Sequence, residues 1–238
     1  MSLRSNSTIS KAKFVKIGSD EWIDLLMTGA RQLQVDLDHD QALQFSRYAQ
    51  ILQRWNKKIN LTSITDPMEI AVKHFLDSVA PSACIPKQGT LLDIGTGGGF
   101  PGVPLKILRP QQSMVLIDGV RKKINFVKQV LRELHLDHIE AIQARAEDLI
   151  RHHCNTTQFD IVVSRALADV DVLIKLAAPL LKPEGRLVVY KGSHTAAFTT
   201  KIDVLQDCGM RLDFSDVTYR LPFTGHQRTV FVFSRQNQ

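Results

Sequence analysis

Apolar residues in the first third of the chain recur every three or four positions, which is the period of an amphipathic helix. A helix predicted over residues 21–34 has on one face Trp22, Leu26, Ala30 and Leu33. A second helix, predicted over residues 40–58, has an apolar stripe of Phe45, Tyr48, Leu52, Trp55 and Ile59. This part of the chain is therefore predicted to be helical.

A third helix is predicted to begin at Asp66. Aspartate is a good N-cap, Pro67 is tolerated in the first turn, and Glu69 completes a capping box. The apolar stripe of this helix consists of Val72, Phe75, Leu76 and Val79. His74 lies outside that stripe, and we interpret it as a structural hydrogen-bonding residue rather than a ligand. Together the three helices predict an N-terminal helical cap over residues 21–89.

From Thr90 the pattern changes to short apolar runs that alternate with helical patterns. Strands are predicted at the run that begins at Leu91 and at residues 113–117, 139–143, 159–163, 186–190, 211–219 and 229–234. Helices are predicted over residues 103–108, 121–134, 168–181 and 195–207. Such alternation is typical of an α/β fold with a mostly parallel sheet and helices on both faces. The last two strands are close in sequence and are predicted to pair antiparallel.

The first of these strands leads directly into a glycine-rich loop. A G-x-G-x-x-G spacing at Gly97, Gly99 and Gly102 suggests a dinucleotide site, but the turn begins earlier, at Gly95. From there the spacing is G-x-G-x-G, with Asp93 two residues before it. Glycine turns tightly and lets a ligand approach the backbone. This arrangement is typical of a buried parallel strand that leads into a loop binding a nucleotide-type cofactor.

Two acidic residues bear on the identity of the cofactor, and one of them distinguishes between the candidates. Asp118 ends the second predicted strand, where a carboxylate can hold the ribose hydroxyls of either NAD or S-adenosylmethionine. Asp93 would repel the pyrophosphate of a dinucleotide but attract the ammonium and sulfonium of S-adenosylmethionine. The chain has no G-x-x-x-x-G-K-[ST] motif, which argues against an NTP-binding P-loop. The sequence therefore favours S-adenosylmethionine.

Sheets of this kind bind ligands beyond the carboxyl ends of their strands. The residues predicted at those ends are Asp93 to Phe100, Asp118, Arg145 to Glu147, Ser164, Arg165 and Lys191. The next helix after Asp118 begins with three cations, Arg121, Lys122 and Lys123. Because cations at a helix N-terminus oppose the helix dipole, they indicate either an anionic ligand nearby or a solvated basic face.

The size and charge of the chain limit its function class. Its 238 residues suffice for one substantial core and a small appended unit. No apolar run approaches the roughly 20 residues of a membrane helix, so we expect a soluble, cytoplasmic protein without a membrane partner. The net charge of +6 favours an anionic partner, nucleic acid first. A merely Lys/Arg-rich surface is the alternative.

The cysteines and histidines indicate neither a disulfide framework nor a metal site. Cys84, Cys154 and Cys208 are far apart and form no C-x-x-C, which fits a reducing cytoplasm. His152 and His153 precede Cys154 directly, but adjacent side chains do not converge easily and no second ligand group has matching spacing. We expect no metal.

The ends of the predicted domains follow from these patterns. Residues 1–20 are polar and basic and are predicted to be a disordered tail, with a transit peptide as the alternative. The helical cap follows, and residues 90–238 are predicted to form the cofactor-binding domain.

Several motifs resemble the signatures of one known family. The longest is Trp55-Asn56-Lys57-Lys58-Ile59-Asn60-Leu61-Thr62-Ser63. The others are His74-Phe75-Leu76-Asp77-Ser78, the loop Gly95 to Gly102, Asp118 with Lys122, Lys123 and Phe126, Arg145-Ala146-Glu147, Ser164-Arg165-Ala166 and Lys191-Gly192. In this order, across about residues 35–235, the chain resembles a class I S-adenosylmethionine-dependent methyltransferase with a Rossmann-like fold. It is most similar to the ribosomal RNA small-subunit methyltransferase G family, once called glucose-inhibited division protein B.

The resemblance implies methyl transfer to N7 of a guanine in 16S ribosomal RNA, with the small ribosomal subunit as partner. It implies cofactor contacts at Gly95, Phe100, Asp118, Ala146, Glu147 and Arg165. The loop itself adds Asp93, Gly97 and Gly99 as candidates. The resemblance also implies RNA contacts at Arg145, Lys191 and Arg228. The basic start of the helix after Asp118 adds Arg121, Lys122 and Lys123 as candidates. We expect the protein to act as a monomer.

The chain departs from the family pattern at a few positions. Gly119 stands where the family often has serine, which removes a hydroxyl contact. Gln227 precedes Arg228 where Glu-Arg is common, and the N-terminal tail has no clear counterpart. The last two departures concern contacts with the substrate rather than with the cofactor.

The end of the fourth strand agrees with N7 as the acceptor. Enzymes that methylate exocyclic amines resemble one another in a [DNS]-P-P-[YFW] motif, whereas this strand ends in Ser164-Arg165-Ala166. Methylation at carbon 5 needs a cysteine nucleophile, and no cysteine follows here. Guanine N7 has an available lone pair, so positioning is the main requirement. Arg165 is the candidate positioning residue, and it could either hold the RNA or orient the cofactor.

Two other functions stay open at the level of the sequence. An NAD-dependent oxidoreductase is disfavoured by Asp93 and by the lack of a recognisable hydride-transfer constellation. A non-catalytic RNA-binding ribosome assembly factor could retain the same fold. The intact glycine loop and Asp118 argue against that second alternative.

Overall fold

The computed structural model describes residues 15–152, 158–165, 169–192 and 202–236. The first two helices are α1, Asp20–Gln32, and α2, His39–Ile59, which confirms both predicted helices. Ile17 already packs in the hydrophobic core, three residues before the predicted end of the N-terminal tail. Residues 1–14 lie outside the described part of the chain.

Side-chain caps explain where the two helices begin. Ser19 accepts a hydrogen bond from the backbone N–H of Trp22. Asp38 and Gln41 form a reciprocal capping box at the start of α2. These bonds satisfy N–H groups that the first turn of a helix leaves unpaired.

The third predicted helix changes its helical type along its length. The structure shows α3, Pro67–Ile70, then a π-helix, Ala71–Leu76, then α4, Asp77–Val79, and a 3₁₀ turn, Ala80–Cys84. Asp66 accepts from the Glu69 N–H as predicted. The capping box is only half formed, because the Glu69 carboxylate binds Lys73 Nζ at 2.6 Å.

The π-helix overlaps the start of the motif that contains His74 and Asp77. Its wider i→i+5 turns shift the side chains that follow out of the regular 3.6-residue register. His74 and Asp77 are 7% and 6% exposed, so both are buried together with the predicted apolar stripe.

One seven-stranded sheet forms the centre of the molecule, in the order β3-β2-β1-β4-β5-β7-β6. Its strands are β1, Leu91–Ile94, β2, Met114–Asp118, β3, Ile139–Gln143, β4, Phe159–Arg165, β5, Leu181–Lys191, β6, Met210–Arg220, and β7, Gln227–Arg235. Strands β1 to β5 pair parallel, and β7 pairs antiparallel with both β5 and β6. The predicted α/β fold with a late antiparallel pair is confirmed.

The remaining described helices connect these strands. They are α5, Gly102–Leu108, α6, Arg121–Glu133, α7, Ala146–His152, α8, Val170–Ala177, and α9, Ile202–Asp207. The sequence pattern does not predict α7, because seven residues are too few to show a helical period. The start of the helix predicted over residues 195–207 lies outside the described residues.

The boundary between α8 and β5 differs from the prediction. The chain passes from α8 through a 3₁₀ turn, Ala178–Leu180, and β5 begins at Leu181 rather than at residue 186. Leu181 pairs with Phe159, and regular pairing resumes only at Arg186. Pro183, Glu184 and Gly185 therefore interrupt the ladder as a bulge, which is where a strand tolerates proline and glycine.

The helical cap shares one hydrophobic core with the sheet. Trp22 and Phe75 of the cap are fully buried and meet edge to face, with ring centres 6.0 Å apart. The same core includes Leu91 and Val163 from the sheet, whereas a second core covers the other face. Among the described residues, no helix is long and apolar enough to cross a membrane.

Candidate functional site

The glycine loop follows β1 at the carboxyl edge of the parallel strands. Gly95, Gly97 and Gly99 have φ values of 71°, 58° and 88°, a left-handed region that favours glycine. A Cβ on Gly99 would lie 2.4 Å from the Tyr48 hydroxyl oxygen, so that position has no room for a side chain. A Cβ on Gly97 would approach nothing closer than 3.9 Å, so that backbone is open to a ligand.

Asp93 lies fully buried below this loop. Its Oδ2 accepts from the Thr96 hydroxyl at 2.7 Å and from the Gly102 N–H at 2.9 Å, which fixes the loop from inside. Its Oδ1 is buried and has no hydrogen-bond partner among the described residues. Burial raises the pKa of Asp93 to about 6, although these two bonds and Arg165 oppose the shift. An unpaired buried carboxylate oxygen fits a cationic cofactor better than an anionic one.

Asp118 connects the loop to the next helix. Its Oδ2 accepts from the Gly97 N–H at 3.0 Å, and its Oδ1 accepts from the Val120 N–H at 2.8 Å. Lys123 Nζ lies 3.9 Å from Oδ2. A carboxylate has about four lone-pair positions, so Asp118 can keep these bonds and still accept from hydroxyl groups.

Phe100 is enclosed by aromatic side chains from the helical cap. Tyr48 stacks on one side, with ring centres 5.1 Å apart, and His74 stacks at 4.7 Å. The Tyr48 hydroxyl donates to the backbone oxygen of Gly98. The sequence indicates Tyr48 only as part of an apolar stripe, so its contact with the loop is not predicted.

Arg165 ends β4 and is held by several groups at once. Its Nη1 donates to the Lys73 carbonyl oxygen at 3.0 Å and lies 3.6 Å from Asp77 Oδ2. Its Nη2 lies 3.5 Å from His74 Nδ1. The guanidinium carbon is 5.2 Å from the centre of the Phe100 ring, within the range of a cation–π interaction. These contacts fix the guanidinium at the edge of the site.

Asp77 joins the cap to three strands of the sheet. Its Oδ2 faces both Arg165 of β4 and the Nε of Arg228 of β7, the latter at 3.3 Å. Its Oδ1 accepts from the hydroxyl of Tyr219 of β6 at 2.8 Å. The sequence places Asp77 in a family-like motif but does not predict this role, because the partners are about 90 to 150 residues away.

The predicted RNA-contacting residues differ widely in exposure. Arg121, Lys122 and Arg145 are exposed, whereas Lys123 and Lys191 are half-buried. Arg228 is turned toward Asp77 and donates its Nη1 to the Gln227 carbonyl oxygen, with only 18% of its side chain exposed. Its position is therefore that of a partner of Asp77, in contrast to the exposed cations.

The remaining predicted cofactor residues lie at the start of α7. Ala146 is buried and Glu147 is exposed. A Cβ on Gly119 would lie 3.5 Å from Arg145 Cγ, so the loop after β3 lies close to the loop after β2. Among the described residues, no three His, Cys, Asp or Glu side chains could hold a metal ion together. His153 and Cys154 lie outside those residues.

The structure therefore brings most of the predicted residues to one edge of the sheet. The loop, Asp118, the start of α7, Arg165 and Lys191 follow the carboxyl ends of β1 to β5 in turn. The cap contributes Tyr48, His74 and Asp77 to the same edge.

Comparisons with known proteins agree with this architecture. A family model described as rRNA small subunit methyltransferase G matches residues 41–206. A protein of that name from Geobacter sp. (strain M21) is 44% identical over 216 residues, 89% of this chain and 97% of its own. Another, from Desulfitobacterium hafniense (strain Y51), is 47% identical over 165 residues, 69% of this chain and 68% of its own.

The fold also has a counterpart among solved structures. The magnesium protoporphyrin IX methyltransferase from Synechocystis PCC 6803, solved with bound SAM, superposes with a TM-score of 0.54 at 14% identity. The match covers 79% of this chain and 97% of that one, and it concerns the fold alone. The family match and the fold agree that this chain is an S-adenosylmethionine-dependent methyltransferase, and it belongs to the rRNA small subunit methyltransferase G family.

Proposed function

We propose that this protein transfers a methyl group from S-adenosyl-L-methionine to N7 of a guanine in the 16S RNA of the small ribosomal subunit. One observation carries the proposal. The glycine loop, which Asp93 holds from inside, and Arg165, which ends β4, lie at the same edge of the sheet. The names of the relatives support ribosomal RNA as the substrate class. We further propose that the protein acts in the cytoplasm as a monomer.

The residues around the loop suit this cofactor. Bound S-adenosylmethionine supplies a methyl group on a positively charged sulfur. Asp93 and Asp118 supply negative charge beside the loop, and the open backbone at Gly97 allows close approach. Phe100, Ala146 and Glu147 complete the proposed cofactor side of the site.

The side chains near the end of β4 support an acceptor atom that needs no base. The Ser164 hydroxyl is buried and donates to the Ile94 carbonyl oxygen at 3.0 Å. Burial and the neighbouring Arg165 and Lys73 lower the pKa of His74 to about 3, which makes it a poor proton acceptor. Guanine N7 has a free lone pair, so holding it in line with the methyl group can supply about 7–11 kcal/mol of the barrier reduction.

The basic residues supply the proposed contacts with RNA. Arginine presents a planar fork that matches phosphate or the N7 and O6 acceptors of guanine. The proposed groups for gripping the nucleotide are Arg165 and Lys191, which end the neighbouring strands β4 and β5, and Arg145, which follows β3. Exposed Arg121 and Lys122 add attraction for the phosphate backbone.

The direct test is methyl transfer from labelled S-adenosylmethionine to small ribosomal subunits that lack the modification, followed by digestion to nucleosides. We expect label in 7-methylguanosine. Label in another nucleoside would overturn the assignment of guanine N7 as the acceptor atom. Absence of label, with cofactor binding shown separately, would favour a non-catalytic assembly factor.

A variant of Arg165 separates its two proposed roles. If Arg165 grips the RNA, Arg165→Ala keeps the cofactor affinity of the wild type and loses turnover. If it orients the cofactor, both quantities fall together. Arg132→Ala is the matched control, because Arg132 lies in the last turn of α6 and is exposed.

A further inference from the structure

His74 has a different partner on each of its two ring nitrogens. Nδ1 lies 3.5 Å from Arg165 Nη2, and Nε2 lies 3.0 Å from the Thr62 hydroxyl oxygen. The ring is buried and stacks on Phe100 with an interplanar angle of 17°. The contacts of the imidazole are therefore directional as well as apolar.

The chemistry of these partners fixes the tautomer of the ring. A guanidinium group has only donors, so the nitrogen that faces Arg165 must be the bare acceptor. The proton then lies on Nε2 and is donated to Thr62 Oγ1. Thr62 Oγ1 also accepts from the Ile64 N–H at 3.0 Å, so this oxygen acts as an acceptor on both sides.

Thr62 is itself held in place by α2. Asn56 Nδ2 donates to the Thr62 carbonyl oxygen at 2.8 Å, and Asn56 Oδ1 accepts from the Thr62 N–H at 2.9 Å. A continuous series of fixed groups thus runs from Asn56 through Thr62 and His74 to Arg165. Residues of three of the motifs found in the sequence meet in it.

We propose that His74 is a positioning residue for the methyl transfer, and that it acts by holding the Arg165 guanidinium through its bare Nδ1. The inference rests on the proposed function and adds to it the residue that orients the arginine. A neutral acceptor fixes the direction of the guanidinium without cancelling its charge, as a carboxylate would. Asp77, the carboxylate whose Oδ2 lies 3.6 Å from Arg165 Nη1, is shared with Arg228. One carboxylate therefore faces two guanidinium groups, which leaves positive charge to attract an acceptor-rich guanine or phosphate.

A role in packing alone predicts different results from two substitutions. His74→Phe keeps a ring against Phe100 and removes the acceptor. His74→Asn loses the ring but can place an amide oxygen near the position of Nδ1. If His74 positions Arg165, the Phe variant loses about 10- to 100-fold in turnover, and the Asn variant stays within about fivefold of the wild type. The reverse ranking would overturn the proposal.

A double-mutant cycle tests whether the effect passes through Arg165. In an Arg165→Ala background, His74→Phe should lower turnover by less than about twofold further, because the group it holds is gone. Full additivity of the two losses would overturn the proposal. His39→Asn is the control for a histidine substitution, since His39 is exposed at the start of α2.

Two further measurements keep the proposal testable if the Phe variant does not fold. Nitrogen-15 spectra of the labelled ring in the free protein should show a protonated Nε2 and a bare Nδ1, and the opposite tautomer would contradict the proposal. Thr62→Val removes the acceptor for Nε2–H without touching Arg165 and should lower turnover about three- to tenfold. Unchanged turnover would also overturn it. Failure of the proposed function is recognised separately, since the wild type itself would then leave 7-methylguanosine unlabelled.

Discussion

Two groups of charges lie at the same edge of the sheet but differ in how they are held. Arg165 and Arg228 face one buried carboxylate, Asp77, and only 16% and 18% of their side chains are exposed. Arg121 and Lys122, at the start of α6, are exposed to solvent. The first group has a fixed geometry, whereas the second has the freedom of surface side chains.

The difference indicates a division of tasks. Withdrawing charges from water is costly, and it is tolerated only where partners fix their positions, so the first group suits precise placement of a substrate. Exposed cations interact weakly and over a longer range, and salt screens them. They suit the attraction of RNA to the site rather than its alignment.

Of the substitutions that test this comparison, removal of the Asp77 carboxylate should have the largest effect. Asp77→Ala leaves two largely buried guanidinium groups without their carboxylate, and we expect a loss of about 3–5 kcal/mol in the free energy of unfolding. Urea denaturation measures it. Asp148→Ala, which breaks an exposed pair with Arg151, should cost about 0–1 kcal/mol. Similar losses of unfolding free energy in both variants would show that buried and exposed ion pairs contribute equally here, against the comparison.

On the cofactor side of the site, the buried charge is that of Asp93, and the pH dependence of cofactor affinity tests its role. Its pKa is raised to about 6, so the carboxylate is ionised at pH 7.5 and mostly protonated at pH 5, with Arg165 and Asp118 as its charged neighbours. If the charge attracts the cofactor, the affinity for S-adenosylmethionine should be about tenfold weaker at pH 5. Calorimetric titration measures it.

The matched variant for this titration is Asp93→Asn. It should bind weakly at both pH values, because the amide carries no charge to lose. A pH-independent affinity in the wild type would show that the buried charge of Asp93 does not contribute to binding.

The hydroxyl of Tyr48 tests how firmly the cap holds the glycine loop. Tyr48→Phe keeps the ring that stacks on Phe100 but removes the donor to the Gly98 carbonyl. A hydrogen bond of this kind contributes about 1 kcal/mol, so the cofactor affinity should fall about fivefold while the protein stays folded. Tyr219→Phe removes a hydroxyl that binds Asp77 instead. An equal loss of cofactor affinity in that control would contradict a specific role in the loop.

The exposed cations should give the smallest effect. Lys122→Ala should weaken binding to ribosomal RNA about two- to threefold and reduce the salt slope of the affinity by about one. Filter binding at several salt concentrations measures both. Arg132→Ala, near the other end of α6, is the control and should leave the slope unchanged. A change of turnover at saturating RNA would place Lys122 with the positioning group.

The elements of the fold could be predicted where one local signal is sufficient. The period of apolar residues locates α1, α2 and α6, and the run from Leu91 into glycines locates β1 and its loop. The bulge in β5 is not predicted, because Pro183 and Gly185 look locally like a helix stop. Only the pairing of Leu181 and Arg186 with β4, on either side of these residues, places them within a strand.

The candidate site shows the same limit. Asp93, Asp118 and the glycines are predicted from their places at strand ends, since the carboxyl edge of a parallel sheet collects such residues. The predicted contacts of these residues with cofactor and RNA stay predictions. Tyr48, His74 and Asp77 read locally as parts of a helix, and their approach to the loop and to Arg165 depends on packing between distant segments.

The sequence by itself determined the alternation of helices and strands, the cofactor-type loop and the family, because each depends on residues that are close together in the chain or on motifs in a fixed order. The tertiary structure alone decided that the cap helices contact the glycine loop and Arg165 in the candidate site. Asp77 Oδ2 lies 3.3 Å from Arg228 Nε, although the two residues are 151 positions apart in the chain. Burial lowers the pKa of His74 and raises the pKa of Asp93. Such contacts are created when distant segments share one core, and no local pattern of side chains encodes them.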